Sequence, residues 1–285
     1  MGALGRLLVT GAGGALGHSL LDVFDGDDVV GLGRDQLDVS DRDAVLQTID
    51  HVAPDVIVHA GAWTDVDGCE LDPDRAFRVN ALGTRNVVEG ARLAGARVVY
   101  VSTDYVFDGR SARPYVEWDA TNPLSAYGRS KLGGESELGS GDTVVRTSWL
   151  CGSTGRNFVR TIFERATAGQ PLRVVDDQQG CPTFTDDLAA MLRRLAVERR
   201  PGVFHVTNQG VTTWFRLARE VVELAGLDPD QVQPCTTAEL DPPRPAPRPM
   251  LSVLDNAALR LGGVPLLADY HEPLERLVKE LATAS

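Results

Sequence analysis

Two short runs carry residue types that can move a proton. Ser102-Thr103-Asp104-Tyr105-Val106-Phe107-Asp108-Gly109 follows an apolar run, Arg97-Val98-Val99-Tyr100-Val101, that reads as a buried strand. Tyr127-Gly128-Arg129-Ser130-Lys131 comes next. On a helix, Tyr127 and Lys131 share a face one turn apart. A phenol, an ammonium and a hydroxyl would then meet at a strand end. A free tyrosine titrates near pH ~10, too high for easy exchange at neutrality. A nearby cation favours the phenolate and lowers that value. Such a trio can deliver a proton to a developing alkoxide. The plainer reading of Tyr127 and Lys131 is a surface helix pair.

A second constellation lies at the start of the chain. Leu7-Leu8-Val9-Thr10 reads as a strand, Gly11-Ala12-Gly13-Gly14-Ala15-Leu16-Gly17 as a turn, and the residues to Phe24 as a helix. Glycines at 11, 14 and 17 let backbone N–H groups approach a pyrophosphate at a helix N-terminus, where the dipole favours negative charge. A plain tight turn is the alternative. Residues 29–33 form the second strand, which ends in Gly33-Arg34 where an NAD-preferring site would carry an acid. Arg34 therefore favours a 2′-phosphate, unless it is merely a solvated surface arginine. Asp38 and Val39 would lie beside the adenine. Ser40 or Asp41 caps a helix over 42–51. After a buried strand at 54–59, the small residues of Ala60-Gly61-Ala62-Trp63-Thr64 allow a cofactor to pass close to the backbone, or simply pack closely.

The rest of the chain must position these groups. A long helix is expected over 72–94, with Pro73 at its first position. Asn80 lies inside it, and a structural role is at least as well supported as a catalytic one. Residues 111–124 read as a loop over the site and 143–150 as a further strand. Strands and helices alternate to this point, which predicts an α/β, Rossmann-like, doubly wound parallel sheet. Beyond Cys151 the pattern changes: a helix at 157–168, a short strand at 171–175, a polar loop at 177–183, a helix at 185–199 capped by Thr185 or Asp186, a strand at 202–208, a helix opened by Thr212-Thr213-Trp214, and a Pro-rich segment at 241–249. These define a smaller C-terminal α/β lobe. The expected division is a dinucleotide-binding domain over 1–149, with returning elements from about 183–210, and a substrate lobe from 150–182 and 211–285.

The 285 residues are 43% hydrophobic and 24% charged, as in a packed soluble globule rather than a disordered chain. A net charge of −12 disfavours a nucleic-acid surface but leaves room for an anionic ligand, because one cleft can be positive inside an acidic protein. Cys69, Cys151, Cys181 and Cys235 have neither metal nor redox spacing, so reduced thiols, no metal site and a cytoplasmic location are expected. Residues 1–6 lead straight into a strand without a signal peptide, and no apolar run is long enough for a membrane span.

In order along nearly the whole chain, several motifs carry a family resemblance. They are Gly11/Gly14/Gly17, Ala62-Trp63-Thr64-Asp65-Val66-Asp67, residues 102–109, residues 127–131, Arg146-Thr147-Ser148-Trp149, the 177–183 loop and Arg248-Pro249. The chain resembles the extended short-chain dehydrogenase/reductases, and more narrowly the dTDP-4-dehydrorhamnose reductase family. The resemblance implies reduction of the 4-keto group of a dTDP-linked 4-keto-6-deoxy sugar by NADPH, with NADH as the alternative and a homodimer possible. Tyr127 would donate the proton, Lys131 would lower the Tyr127 pKa and hold ribose hydroxyls, and Thr103 would position the substrate oxygen. The cofactor would touch Gly14, Ala15, Leu16, Arg34, Asp38, Val39, Ala62, Trp63, Thr64, Tyr127 and Lys131. The sugar nucleotide would touch Thr103, Asp104 and Trp149. Asn157, the 177–183 loop and Arg248 are candidates for the diphosphate, with Arg244 and Arg160 as alternatives; Trp149 also reads as core. Met250-Leu251-Ser252 stands where the family often has Asn, and Gly68 where it usually has Lys, which leaves the sugar open. A related deoxysugar reductase and a non-catalytic NADP-binding subunit are the other readings. Dehydratases of the superfamily place Glu after Thr-Asp; Tyr105 here argues for simple ketone reduction.

Overall fold

In the computed structural model, which describes residues 5–284, two units share one chain. The first begins with β1 (Leu7–Thr10), α1 (Ala15–Val23), β2 (Val29–Leu32), α2 (Arg42–Val52) and β3 (Val56–His59). It continues through α3 (Val66–Leu71), α4 (Pro73–Phe77), α5 (Gly83–Ala94), β4 (Arg97–Thr103), α6 (Ala126–Glu135) and β5 (Thr143–Thr147). After β6 (Leu150–Cys151) come α7 (Phe158–Thr167), β7 (Leu172–Val175), β8 (Gln179–Gly180) and β9 (Thr183–Phe184). Then follow α8 (Thr185–Val197), β10 (Gly202–His205), β11 (Thr212–Thr213), α9 (Trp214–Leu224), β12 (Val232–Cys235), α10 (Ala257–Leu261) and α11 (His271–Ala284).

A six-stranded parallel sheet runs β10-β5-β4-β3-β1-β2. Its order reverses between β1 and β3, and ligands of such sheets bind outside the carboxyl ends at that point. The strands β1, β3 and β5 are buried throughout, as a parallel sheet covered on both faces requires. Leu16 and Leu20 of α1 meet Leu188, Leu192 and Leu195 of α8 on one face; Val45 and Ile49 of α2 meet Val87 and Val88 of α5 on the other. The smaller unit has its own core from Ile162, Phe163, Leu217, Val221, Leu274 and Val278, with β7 and β12 paired in parallel.

The structure departs from the expected elements in several places. The helix over 72–94 is α4 and α5 joined by a π turn at Arg78–Leu82, a widening that aims Asn80 inward. Asn80 bonds both the Trp63 amide (2.7 Å) and the Trp63 carbonyl (3.1 Å), and donates to Ser130 (2.9 Å). It clamps the loop after β3 to α6. The expected strand over 143–150 stops at Thr147, because Trp149 adopts a left-handed backbone (φ +47°), and β6 then pairs with β9. Neither Thr185 nor Asp186 caps α8; both bond Ser19 of α1 instead, tying the two helices together. Thr212 and Thr213 form a strand before α9, and Thr213 caps that helix by accepting from the Arg216 amide. The polar loop at 177–183 contains β8, and Asp41 rather than Ser40 caps α2. Residues 1–4 and 285 of the expected domain spans lie outside the described residues.

One buried ion pair pins α6 to the sheet. Arg146 of β5 forks onto Glu135 at 2.7–3.2 Å, and both side chains are under a tenth exposed. Removing one partner leaves an uncompensated buried charge. Arg146→Met is therefore expected to lower unfolding free energy by about 3–5 kcal/mol, read from urea denaturation; a loss below ~1 kcal/mol would show that the pair does not hold the helix.

Candidate active site

Tyr127, Lys131 and Glu135 recur every four residues along one face of α6. Ser125 caps the helix by accepting from the Gly128 amide (3.1 Å), and the Ala126 amide donates to Glu70 (2.7 Å). The helix lies directly on the turn after β4: a Cβ at Gly128 would stand 2.2 Å from the Tyr105 carbonyl oxygen. This close approach brings the Tyr105 and Tyr127 rings edge to face at 5.8 Å.

Lys131 is 3% exposed; its ammonium donates to the Val101 carbonyl at 2.7 Å and sits 4.1 Å above the Tyr100 ring. Burial pushes its pKa down to about 7, with Glu135 acting the other way. Burial also pushes the Tyr127 phenol well up; the Thr103 hydroxyl opposes this, while Asp104, Tyr105 and Cys69 reinforce it. Whereas the sequence put the ammonium to work on the phenol, here it is directed at the Val101 carbonyl and the Tyr100 face.

Thr103 ends β4. Its hydroxyl donates to Asp104 Oδ1 at 3.0 Å and accepts from the Tyr105 amide at 3.2 Å. Asp104 is 2% exposed, and its Oδ2 has no hydrogen-bond partner among the described residues. Burial pushes its pKa up to about 7 against the opposing pull of Ser252 and Thr103. Thr103, Asp104, Tyr105 and Tyr127 thus converge at the carboxyl end of β4.

The crevice beside them is built to receive an anion. Gly11 is left-handed (φ +73°), and a Cβ there would strike the Gly61 backbone at 2.7 Å, so the turns after β1 and β3 touch. A Cβ at Gly17 would meet the Gly11 carbonyl at 2.4 Å. Gly14 is the N-cap of α1, which has neither a side-chain cap nor an acidic residue in its first turn. Its first N–H groups are thus left for a ligand. Ala15 faces the lobe loop at Gly155; Leu16 is buried core. Arg34 is exposed at the end of β2 near Asp38, whose carboxylate is held below its usual range first by Ser40, with Arg34 adding. Val39 is buried, Trp63 lies under Arg75 (4.2 Å), and Ala62 and Thr64 flank it at the mouth. An uncapped helix start, a cradle without Cβ atoms and a basic residue at the end of β2 fit a phosphorylated dinucleotide.

The substrate-side candidates scatter more. Trp149 is a closed post: Trp214 stacks on one face at 3.5 Å, and Gly180 approaches the indole so tightly that a Cβ would lie 2.4 Å from Cε2. Asn157 caps α7, accepting from the Arg160 amide (3.1 Å) and donating to the Gly152 carbonyl (2.7 Å). Arg160 is held by Glu164 and the Ser153 carbonyl. Arg248 forks onto Asp67. Arg244 is exposed, has no ion-pair partner among the described residues, and acts on Asp67 and Tyr105 through its charge. The sequence reading missed Gly180 and Trp214 as partners of Trp149, and Asp67 as the partner of Arg248. Separations of 31, 65 and 181 residues leave no local signal for such pairs.

A family described as RmlD substrate binding domain matches residues 5–283. Similar proteins include dTDP-4-dehydrorhamnose reductase of Streptomyces griseus, 41% identical over 94% of this chain and 91% of its own length. The chain belongs to this reductase family. Also similar is a probable dTDP-4,6-dihydroxy-2-methyloxan-3-one 4-ketoreductase of Streptomyces antibioticus, 42% identical over 98% of this chain and 96% of that one. Among solved structures, dTDP-4-dehydrorhamnose reductase of Bacillus anthracis in complex with NADP superposes with a TM-score of 0.92 at 35% identity, covering 97% of this chain and 99% of that one.

As in its reductase relatives, the sheet is Rossmann-like. Among the described residues there is no group of three His, Cys, Asp or Glu placed to hold a metal ion, and no helix long and apolar enough to cross a membrane. The buried Asp104 gives a pH test of the site. Its folded pKa is about 7 against ~3.9 unfolded, so its contribution to stability is fully present below ~3.9 and lost as pH rises through 7. Asp104→Asn should therefore gain melting temperature relative to the parent between pH 5 and 8; a difference that stays flat across that range would refute the buried protonated carboxyl.

Proposed function

We propose that the chain reduces the 4-keto group of a dTDP-linked 4-keto-6-deoxyhexose with NADPH, dTDP-4-dehydro-L-rhamnose to dTDP-L-rhamnose being the foremost case. The observation that carries this reading is the contact of Tyr127 with Thr103 at the end of β4, with Lys131 one turn along the same face of α6, beside the uncapped start of α1. NADP in the Bacillus anthracis relative, together with Arg34 at the end of β2, supports NADPH over NADH.

The nicotinamide supplies hydride when bound. The protein's task is the proton and the geometry. Tyr127 gives its phenolic proton to the ketone oxygen as negative charge develops there. Thr103 holds that oxygen by a hydrogen bond that strengthens as the charge grows. Donation to substrate requires the Thr103 hydroxyl to leave Asp104 Oδ1, which a protonated Asp104 releases more readily than a carboxylate. Lys131, once protonated beside a bound anion, favours the Tyr127 phenolate left after transfer. Arg244 is the best-placed free guanidinium for the diphosphate.

A second reading, reduction of a related dTDP-4-keto sugar, is favoured by Ser252 lying against Asp104 at the substrate end and by the Streptomyces antibioticus relative. A screen of dTDP-linked 4-keto-6-deoxy sugars, following NADPH oxidation with product configuration read by NMR, separates the two. Folded, NADPH-binding protein that turns over none of them would sink both and leave the non-catalytic subunit. Tyr127→Phe is expected to lower turnover by about 10²–10⁴-fold while NADPH still binds; full activity in that variant would remove Tyr127 from the proton-donor role.

A further inference from the structure

The segment 241–254 crosses from the smaller unit to the mouth of the site and is fastened as it goes. The Ala246 amide donates to Asp67 Oδ1 at 3.1 Å. Arg248 forks onto both Asp67 oxygens at 2.5 and 2.8 Å and donates back to the Ala246 carbonyl at 2.7 Å. Pro249 then packs on Gly109 so tightly that a Cβ there would lie 2.6 Å away. The Gln179 amide donates to Met250, and the Ser252 amide to Gln179, each at 2.8 Å. The Arg248 side chain is only 7% exposed.

Arg248 has one further neighbour. It faces the Tyr105 phenol and favours its ionised form, against the burial that pushes that group up to about 12. Tyr105 is the residue whose ring edge meets Tyr127. Arginine has five donors in a rigid fork. Here three are committed, two to the Asp67 carboxylate and one to the Ala246 carbonyl, while the guanidinium charge acts on the Tyr105 phenol. The Asp67 carboxylate neutralises the charge, so little is left for a diphosphate. Asp67, for its part, is held below the usual carboxylate range first by Arg248.

We propose that Asp67 and Arg248 act as one clamp that seats Tyr105 against Tyr127, which makes Arg248 a positioning residue for the proton donor rather than a ligand of the nucleotide. The inference rests on Tyr127 as that donor. Two residues 181 positions apart would then set the angle at which one phenol meets the substrate. Because both act through one contact, their losses are not independent.

The test uses the full chain with Asp67→Asn, Arg248→Gln, Arg248→Lys and the Asp67→Asn/Arg248→Gln double variant. It measures kcat and KM for the nucleotide sugar, and dTDP affinity by calorimetry. Arg248→Lys keeps the charge but cannot fork. Each single variant is expected to lose about 10-fold or more in kcat, since displacements near 1 Å cost up to ~10²-fold. The double variant should be no worse than the worse single, and dTDP affinity should stay within about twofold of the parent. Arg244→Gln, by contrast, should weaken dTDP binding. The clamp is overturned if Arg248→Gln weakens dTDP binding about tenfold while Asp67→Asn behaves as the parent, if Arg248→Lys keeps full kcat, or if the two losses multiply. Parent-like kcat in the clamp variants alongside a dead Tyr127→Phe would remove the clamp alone; an active Tyr127→Phe would remove the reading beneath it.

Discussion

The site depends on how closely α6 can lie on the turn that ends β4. Contact is possible because residue 128 has no side chain; any Cβ there would overlap the Tyr105 carbonyl oxygen. Once the helix is seated, its inward face carries Tyr127, Lys131 and Glu135 in register with Thr103, Val101 and Arg146 of the strands below. The other anchors serve the same seat. Ser125 and Glu70 fix the helix start, Asn80 in the π turn ties Ser130 to the loop after β3, and the Glu135–Arg146 pair fixes the end. Bonds at both ends and the middle leave α6 little freedom to slide, which is the precision that proton transfer demands.

Burial that buys this precision also sets the electrostatics. Lys131 and Asp104 are each nearly dry, and each is pushed toward neutrality: the lysine down to about 7, the aspartate up to about 7. The shift of each toward its neutral form limits the cost of desolvation. A bound anion changes the balance on the lysine side, because opposite charge raises a depressed ammonium pKa. His59 follows the same logic of burial. It is fully buried, hydrogen-bonded to Thr10 and Thr84, and pushed down to about 3, which makes it a neutral brace between β1 and α5.

Local signals were readable from the chain. The β1 turn, the alternation of strands and helices, and the four-residue spacing of Tyr127 and Lys131 each follow from short-range pattern, and the sheet and family agree with that pattern. Helix ends were harder. Thr185 and Asp186 look like caps, yet their oxygens are claimed by Ser19 from a helix 166 residues earlier. The π turn left no mark in the apolar period, since Asn80 on an α-helix and on a widened turn read alike. On the substrate side, Arg248 and Asn157 have the right chemistry for a diphosphate. The partner of Arg248 is a distant carboxylate set by tertiary contact, whereas Asn157 is engaged in a local one, the cap of the helix that follows it.

Trp149 shows how such contacts decide what a residue can offer. A non-glycine residue in the left-handed region costs roughly 1–2 kcal/mol. The conformation persists here because it swings the indole between Gly180 and Trp214, and an aromatic pair returns about 0.5–1.5 kcal/mol beyond its buried area. Phe158 braces the far side of Trp214 at 4.5 Å, so the stack runs from the end of β5 into the start of α7 and α9. Gly180 and Trp214 thus cover the indole between them. A nucleotide base cannot stack on it without displacing Gly180 or Trp214. Trp149 therefore serves first as packing between β5 and the helices of the smaller unit. One strained backbone position at the end of β5 thus wedges an aromatic stack against the starts of α7 and α9.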